Sequence, residues 1–282
     1  MSNQQERFIG LIERRLSRFV GKLMNLQLPH FIYNPFCKLF CWVNNIRDYE
    51  PNQFSSLTSM NSIFTRVNDS RHSCLTIDCC NHSQLMSPVE GIVSELGKIS
   101  PDEEILNVEV KQSQFSIDLR KRLHRNSNMF FIGIYLSPSD NHHFNSATDW
   151  RVNERIHYPG FLTSVRPNKI RKLEANERVS YNGKWLHGFF SMTMIGAINV
   201  GSIHVSEDYT LNTNSKSDDI HLYDGIVHQR SIDLHVNKAQ PFGYFSMGSY
   251  VFIAFEAPKT FQFNCTVGQR LKQGFSLGSV IF

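Results

Sequence analysis

Two hydrophobic periods divide this chain. Between residues 5 and 27, Phe8, Ile12, Leu16, Phe19, Val20 and Leu23 recur at helical spacing, with Arg14, Arg15, Arg18 and Lys22 interleaved. Pro29 and Pro35 then break the chain ahead of a second apolar helix, Phe36–Val43. Residues 46–84 are polar, with a short helical piece around Leu57–Val67 and a loop rich in Cys, His, Ser and Asn at 68–84. From Leu85 onward, strand-like runs alternate with Gly, Pro and Asn turns, at Gly91–Leu96, Phe130–Leu136, Gly188–Val205 and Tyr250–Phe255. No internal repeat is visible. The expected fold is α+β: a β-rich single domain over residues 85–282, capped by N-terminal amphipathic helices within residues 1–45, with 46–84 as a polar linker.

The basic, amphipathic first helix has two readings of equal weight. It lies on an anionic membrane surface, or it packs on the domain core. Glu6 and Glu13 count against a mitochondrial presequence. The 22 Phe, 9 Tyr and 3 Trp, with only 19% charged residues, suit a protein of apolar ligands or membrane surfaces, although an ordinary β-rich core has a similar composition. A net charge of +4 is too small to argue for a nucleic-acid partner. No run of about eighteen apolar residues is present, so no transmembrane helix is expected.

Cysteines 37, 41, 74, 79, 80 and 265 lack the spacing of a zinc site or a disulfide framework. Cys37 and Cys41 fall one helical turn apart on the apolar face and read as reduced, buried thiols. Adjacent Cys79 and Cys80, with His82 nearby, make a poor structural ligand pair, and no metal is expected.

One stretch carries the chemistry. In Phe242–Glu256 an aromatic, β-branched run is interrupted by Gly243, Ser246, Gly248 and Ser249 and resumes as Val251–Phe255. On propensity alone it is a strand, a tight break and a second strand, as in a hairpin or bulge. Its Met247-Gly248-Ser249-Tyr250 segment resembles the Leu-Gly-Ser-Thr of phosphatidylserine decarboxylases, a family that cuts its own chain between that Gly and Ser. A Ser hydroxyl attacks the preceding carbonyl and converts the peptide bond into an ester. Elimination then releases the upstream chain and leaves dehydroalanine, which hydrolyses to a pyruvoyl group. Gly before the Ser lets the backbone take the strained geometry of that attack.

The resemblance spans roughly residues 12–280. Residues 15–43 are similar to the region that follows the membrane anchor of the animal mitochondrial members, which places the start of this chain after such an anchor. Ser87-Pro-Val-Glu-Gly91 resembles the family's Ser-Pro-x-Asp-Gly, with Glu90 as its carboxylate. Tyr135–Trp150 is similar to the family's YLxPxDYHxFHxPxDW. It keeps Asp140, His142, Phe144, Asp149 and Trp150, with Asn141 for Tyr, Asn145 for the second His and Ala147 for Pro. Residues 157–165, 176–179, 183–203, 255–263 and 267–279, the last as a C-terminal strand pair, follow in the family's order.

The resemblance implies a catalytic domain cut at Gly248–Ser249 into a β chain (1–248) and an α chain (249–282), with a pyruvoyl cofactor derived from Ser249. It implies decarboxylation of phosphatidylserine to phosphatidylethanolamine, since the pyruvoyl carbonyl condenses with the serine amine of the lipid and draws off electrons. The family's self-cleavage triad falls on Glu90, Asn145 and Ser249, and its decarboxylation acid on His142. His142, Phe144 and Tyr250 are the expected substrate contacts. Asn145 cannot take and return a proton, so the base is altered. Glu90, raised in pKa by an apolar pocket, is one substitute, and His143 is another. The same two changes motivate an alternative: an uncleaved pseudoenzyme of the same fold that binds phospholipid without catalysis. The resemblance also implies a peripheral protein of the mitochondrial inner membrane and a homodimer.

Overall fold

In the computed structural model, residues 3–43, 59–65, 81–99, 105–110, 113–118, 127–165, 173–197, 202–220, 225–246 and 249–281 are described. Helices α1 (Asn3–Met24), α2 (His30–Val43) and the single-turn α3 (Asn61–Phe64) come first. The strands are β1 (Gln84–Met86), β2 (Gly91–Ile99), β3 (Ile105–Val110), β4 (Ser113–Asp118), β5 (Ser127–Leu136), β6 (His143–Asn145), β7 (Trp150–Tyr158) and β8 (Arg178–Trp185). They continue as β9 (Gly188–Gly196), β10 (Ile203–Val205), β11 (His228–Val236), β12 (Pro241–Phe245), β13 (Ser249–Pro258), β14 (Phe261–Phe263), β15 (Arg270–Leu271) and β16 (Ser276–Val280).

The central strand follows from its own side chains. Along β13, Val251, Ile253, Phe255 and Ala257 pack into one apolar cluster, while Tyr250, Phe252 and Ala254 pack into a second on the opposite face. A strand buried on both faces needs partners on both edges, and β13 pairs antiparallel with β5 and β9. They sit in an eight-stranded sheet of order β11-β7-β8-β9-β13-β5-β2-β15. The larger cluster fills the space between this sheet and two small ones, β10-β12-β6 and β1-β16-β14. β3 and β4 form a separate two-stranded ribbon. The protein is thus α+β and strongly β-rich, with its helices at the N-terminus.

Four local expectations need correction. The two strands of the Phe242–Glu256 stretch do not form a hairpin: β12 pairs with β10 and β6, and β13 with β5 and β9. The Gly188–Val205 run is two strands in different sheets. The C-terminal strands β15 and β16 likewise pair elsewhere, with β2 and with β1 and β14. Pro35 lies inside α2 rather than before it. Pro29 holds the start of that helix through its carbonyl, which accepts from Ile32 and Tyr33 N–H at 2.9 and 3.0 Å. The buried stripe Tyr33, Cys37 and Cys41, packed with Ile63, offsets the N–H that Pro35 lacks. Both thiols are free, and burial pushes Cys37 up to about 11.

α1 is docked the reverse way round from an ordinary surface helix. Its buried stripe is Gly10, Arg14, Ser17 and Gly21, while Phe8, Ile12, Leu16, Phe19 and Leu23 are 47–66% exposed. Gly10 is required because the Phe161 ring occupies the place of a Cβ. Arg14 is fully buried. Its guanidinium donates to Glu177 Oε2 (2.8 Å), Asp219 Oδ1 (2.8 Å), the Gly160 carbonyl (2.7 Å) and the Ser215 carbonyl (3.1 Å). Arg18 adds two further donors to Asp219.

Removing one partner of a buried ion pair strands the other, so Arg14→Met should lower unfolding free energy by about 3–5 kcal/mol. The half-buried Arg18→Met should cost only about 1 kcal/mol. Urea unfolding midpoints compare the two. Burial by itself would raise the Asp219 carboxyl, but hydrogen bonds from Arg18 and Arg14 outweigh it and hold it below the ordinary carboxylate value. Its contribution is therefore complete above about pH 4 and lost as pH falls through the depressed value.

Candidate active site

Four strand ends of the large sheet frame the site. In the large sheet, β2 begins at Gly91, β5 ends at Leu136, β13 begins at Ser249 and β9 ends at Gly196, all at one edge, because neighbours run antiparallel. Ser249 faces Leu136 on one side and Gly196 on the other. By alternation its side chain shares the face of Val251 and Ile253, the face covered by the sheet that contains β6 and β12. Ser249 is fully buried, and its Oγ has no hydrogen-bond partner among the described residues. A buried hydroxyl costs free energy when left unpaired, so this one contributes nothing to stability through hydrogen bonding to the described residues. Gly248 lies outside the described residues.

The bend after β5 carries His142. Asp140 Oδ2 accepts from Ser137 N–H and Ser137 Oγ, each at 2.7 Å, and Oδ1 accepts from Arg270. These bonds fix the bend. His142 is fully buried, and its Nδ1 lies 2.8 Å from the Asp140 carbonyl. A carbonyl only accepts, so Nδ1 carries the proton and Nε2 is the nitrogen that can take one. The His142 carbonyl in turn accepts from Phe245 N–H at 2.9 Å, which joins the bend to β12 just upstream of the Gly248–Ser249 position.

Asn145 ends β6, and its N–H donates to the Pro88 carbonyl at 2.9 Å. Gln273 Nε2 donates to the same carbonyl, also at 2.9 Å. Glu90 lies two residues beyond Pro88, immediately before β2. The Cβ of any residue at Gly91 would come within 2.5 Å of the Tyr135 carbonyl, so the turn after Glu90 is pressed against the end of β5. Glu90, the His142 bend, Asn145 and Ser249 are therefore gathered at one end of the sheet.

Two expected substrate contacts go elsewhere. Phe144 is fully buried among Phe242 and Phe245, with ring centroids 6.1 and 5.0 Å away. Tyr250 points to the opposite face from Ser249, its ring crosses Gly133, and its hydroxyl donates to Glu95. Burial, then the Glu95 charge, push that phenol well above its usual value. His143 also turns outward: Nε2 is 2.9 Å from the Thr65 carbonyl, and the ring lies 5.5 Å from Tyr244. Residue reading missed His204, which stacks on Tyr244 at 4.6 Å and meets Ser246 Oγ at 3.1 Å. No local pattern marked it.

The arrangement suits one-time chemistry on a buried backbone bond: a poised hydroxyl, an imidazole of defined tautomer and a carboxylate close by in the chain fold. Comparison with known sequences points the same way. The sequence model of the phosphatidylserine decarboxylase family matches residues 64–279. The mitochondrial phosphatidylserine decarboxylase proenzyme of Rattus norvegicus is 32% identical over 297 residues, covering 95% of this chain and 72% of that protein. Proenzyme 1 of Saccharomyces cerevisiae is 42% identical over 164 residues, 54% of this chain and 33% of that protein. The Caenorhabditis elegans mitochondrial proenzyme is 30% identical over 96% of this chain and 72% of its own length.

Proposed function

We infer that this chain, which belongs to the phosphatidylserine decarboxylase family, is a mitochondrial proenzyme that cuts itself before Ser249 and then decarboxylates phosphatidylserine to phosphatidylethanolamine. The single observation that carries the reading is the buried Ser249 hydroxyl at the start of the central strand, which has no hydrogen-bond partner among the described residues. Ser249 Oγ attacks the Gly248 carbonyl, and the peptide bond becomes an ester. Loss of the Ser249 α-proton and departure of the Gly248 carboxylate give dehydroalanine. Water then releases ammonia and leaves the pyruvoyl group at the head of residues 249–282. The pairing of Ser249 with Leu136 and Gly196 holds the new terminus in place after the cut.

The pyruvoyl group supplies an electron sink for loss of the substrate carboxylate. His142, whose Nδ1 proton is held on the Asp140 carbonyl and whose Nε2 can take one up, is the acid that reprotonates the product carbon. Glu90 is the remaining carboxylate of the self-cleavage set, and Asn145 occupies the place of its base. Phe144 and Tyr250 support the site from the two cores rather than by touching lipid.

The exposed faces of α1 and α2 are the surface that meets an anionic membrane. Phe31 and Trp42 are 78% and 80% exposed on α2, beside Phe36 and Leu39, and Arg15, Lys22 and Lys38 lie exposed along the same helices. No described helix is long and apolar enough to cross a bilayer, which fits helices lying in the interface. Burying each large side chain is worth about 1.5–3 kcal/mol. Phe31→Glu combined with Trp42→Glu should therefore weaken cosedimentation with phosphatidylserine-containing vesicles by about 100-fold or more. A homodimer formed through these faces would instead show as dimer loss in the same variant without vesicles.

Intact mass of the purified, denatured chain tests the function directly, with and without borohydride plus an amine. Two fragments, the smaller spanning 249–282 and blocked at its N-terminus, are expected. A single full-length mass after long incubation would leave the uncleaved phospholipid-binding alternative.

A further inference from the structure

Beneath α1, at the same end of the large sheet as Ser249 but on β7 and β11, three potential ligands converge. His157 at the end of β7 and His228 at the start of β11 are direct cross-strand partners, so their side chains share one face. Their rings lie 5.4 Å apart at an interplanar angle of 29°. Asp218, from the 3-10 turn Ser217–Ile220, reaches the same point. One ligand atom from each of His157, Asp218 and His228 lies within 4.8 Å of the other two.

The surroundings favour a cation. Glu177 is fully buried, and Oε1 accepts from Asn214 N–H at 2.6 Å while Oε2 accepts from Arg14 at 2.8 Å. His157 Nε2 is 2.9 Å from the same Oε1. A carboxylate oxygen only accepts, so Nε2 carries the proton and Nδ1 is the nitrogen with a lone pair for a ligand. A buried carboxylate that fixes the far nitrogen of a His is the usual support of a metal-bound imidazole. Glu177 and Asp219 pair with Arg14 and Arg18, while Asp218 meets His228.

We propose that His157, His228 and Asp218 form a binding site for a divalent transition-metal ion of the zinc type, with Glu177 orienting His157. Two imidazoles and one carboxylate are a ligand set zinc takes, with water as the fourth ligand. Metal–ligand distances of about 2.0–2.2 Å bring ligand atoms to roughly 3.4 Å from one another. The closure needed falls on His228, whose side chain is 47% exposed and meets Asp218 Oδ1 at 3.1 Å, a contact in which the ion replaces a proton. The bound ion ties β7, β11 and the Asp218–Asp219 turn together where Arg14 and Arg18 anchor α1, so it stiffens the footing of the membrane-facing helix.

The test uses the full chain, stripped with chelator and titrated with zinc by calorimetry and with cobalt by visible absorption. One ion per chain, a tetrahedral cobalt spectrum and a rise in thermal midpoint with zinc are expected. His228→Ala, at an exposed residue, and Asp218→Asn, which keeps the shape of a buried side chain, should each weaken binding by about 100-fold or more. The zinc-dependent rise in wild-type midpoint, reversed by chelator, reads the site without any substitution. Absence of binding, or binding undiminished in either variant, overturns the site and assigns any ion to other His or Cys residues.

Discussion

A chain carrying Ser249→Ala is expected to remain one 282-residue polypeptide at any incubation time and to release no carbon dioxide from phosphatidylserine. The substitution removes one oxygen from a fully buried position at which that oxygen has no hydrogen-bond partner among the described residues. Folding should tolerate the change or gain from it, since an unpaired buried hydroxyl costs about 1–3 kcal/mol. The loss of chemistry is thus separated from loss of structure: thermal midpoint at or above that of the uncleaved wild type, cleavage absent, carbonyl trapping absent. Cleavage that persists in Ser249→Ala would place the nucleophile elsewhere, with Ser246 next to be tested.

How much of this could be read along the chain depends on whether the signal is local. The centre of the fold was legible because a strand buried on both faces must be apolar at nearly every position, and Val251–Phe255 is. The resemblance over Tyr135–Trp150 likewise located the stretch around His142, although only the contact with the Asp140 carbonyl gives its tautomer. What failed was partner choice. The Gly-Ser interruption reads as a hairpin turn, yet its two strands belong to different sheets, because a break beside a reactive bond and a break at a hairpin use the same residues.

Burial of charge was equally hidden. Arg14 reads as part of a polar face, and only partners 163 and 205 residues away make it the buried stripe of α1. The helix packs on the domain through its polar stripe and leaves its apolar stripe facing outward. The proposed metal ligands show the same limit. Residues 157, 218 and 228 have no ligand spacing: cross-strand register brings 157 and 228 together, and a separate 3-10 turn brings in 218.

The second large effect concerns Asn145. Restoring the base by Asn145→His should raise the rate of self-cleavage by about 10²–10⁴, the usual worth of a positioned general base. The backbone there is already fixed, with Asn145 N–H on the Pro88 carbonyl and β6 paired to β12, so His is introduced on an unchanged frame. Asn donates and accepts hydrogen bonds but does not titrate, whereas His does so near neutral pH. The variant should accordingly show a cleavage rate that rises with pH through the imidazole range, a profile absent from the parent. Time courses of fragment appearance on denaturing gels across pH 5–8 measure both. If parent and variant cleave alike, the proton passes through another group, and Glu90→Gln should then abolish the reaction. If the parent stays whole while Asn145→His is cut, the native chain is a lipid-binding member whose missing step is one imidazole, and the Ser249 frame around it is intact.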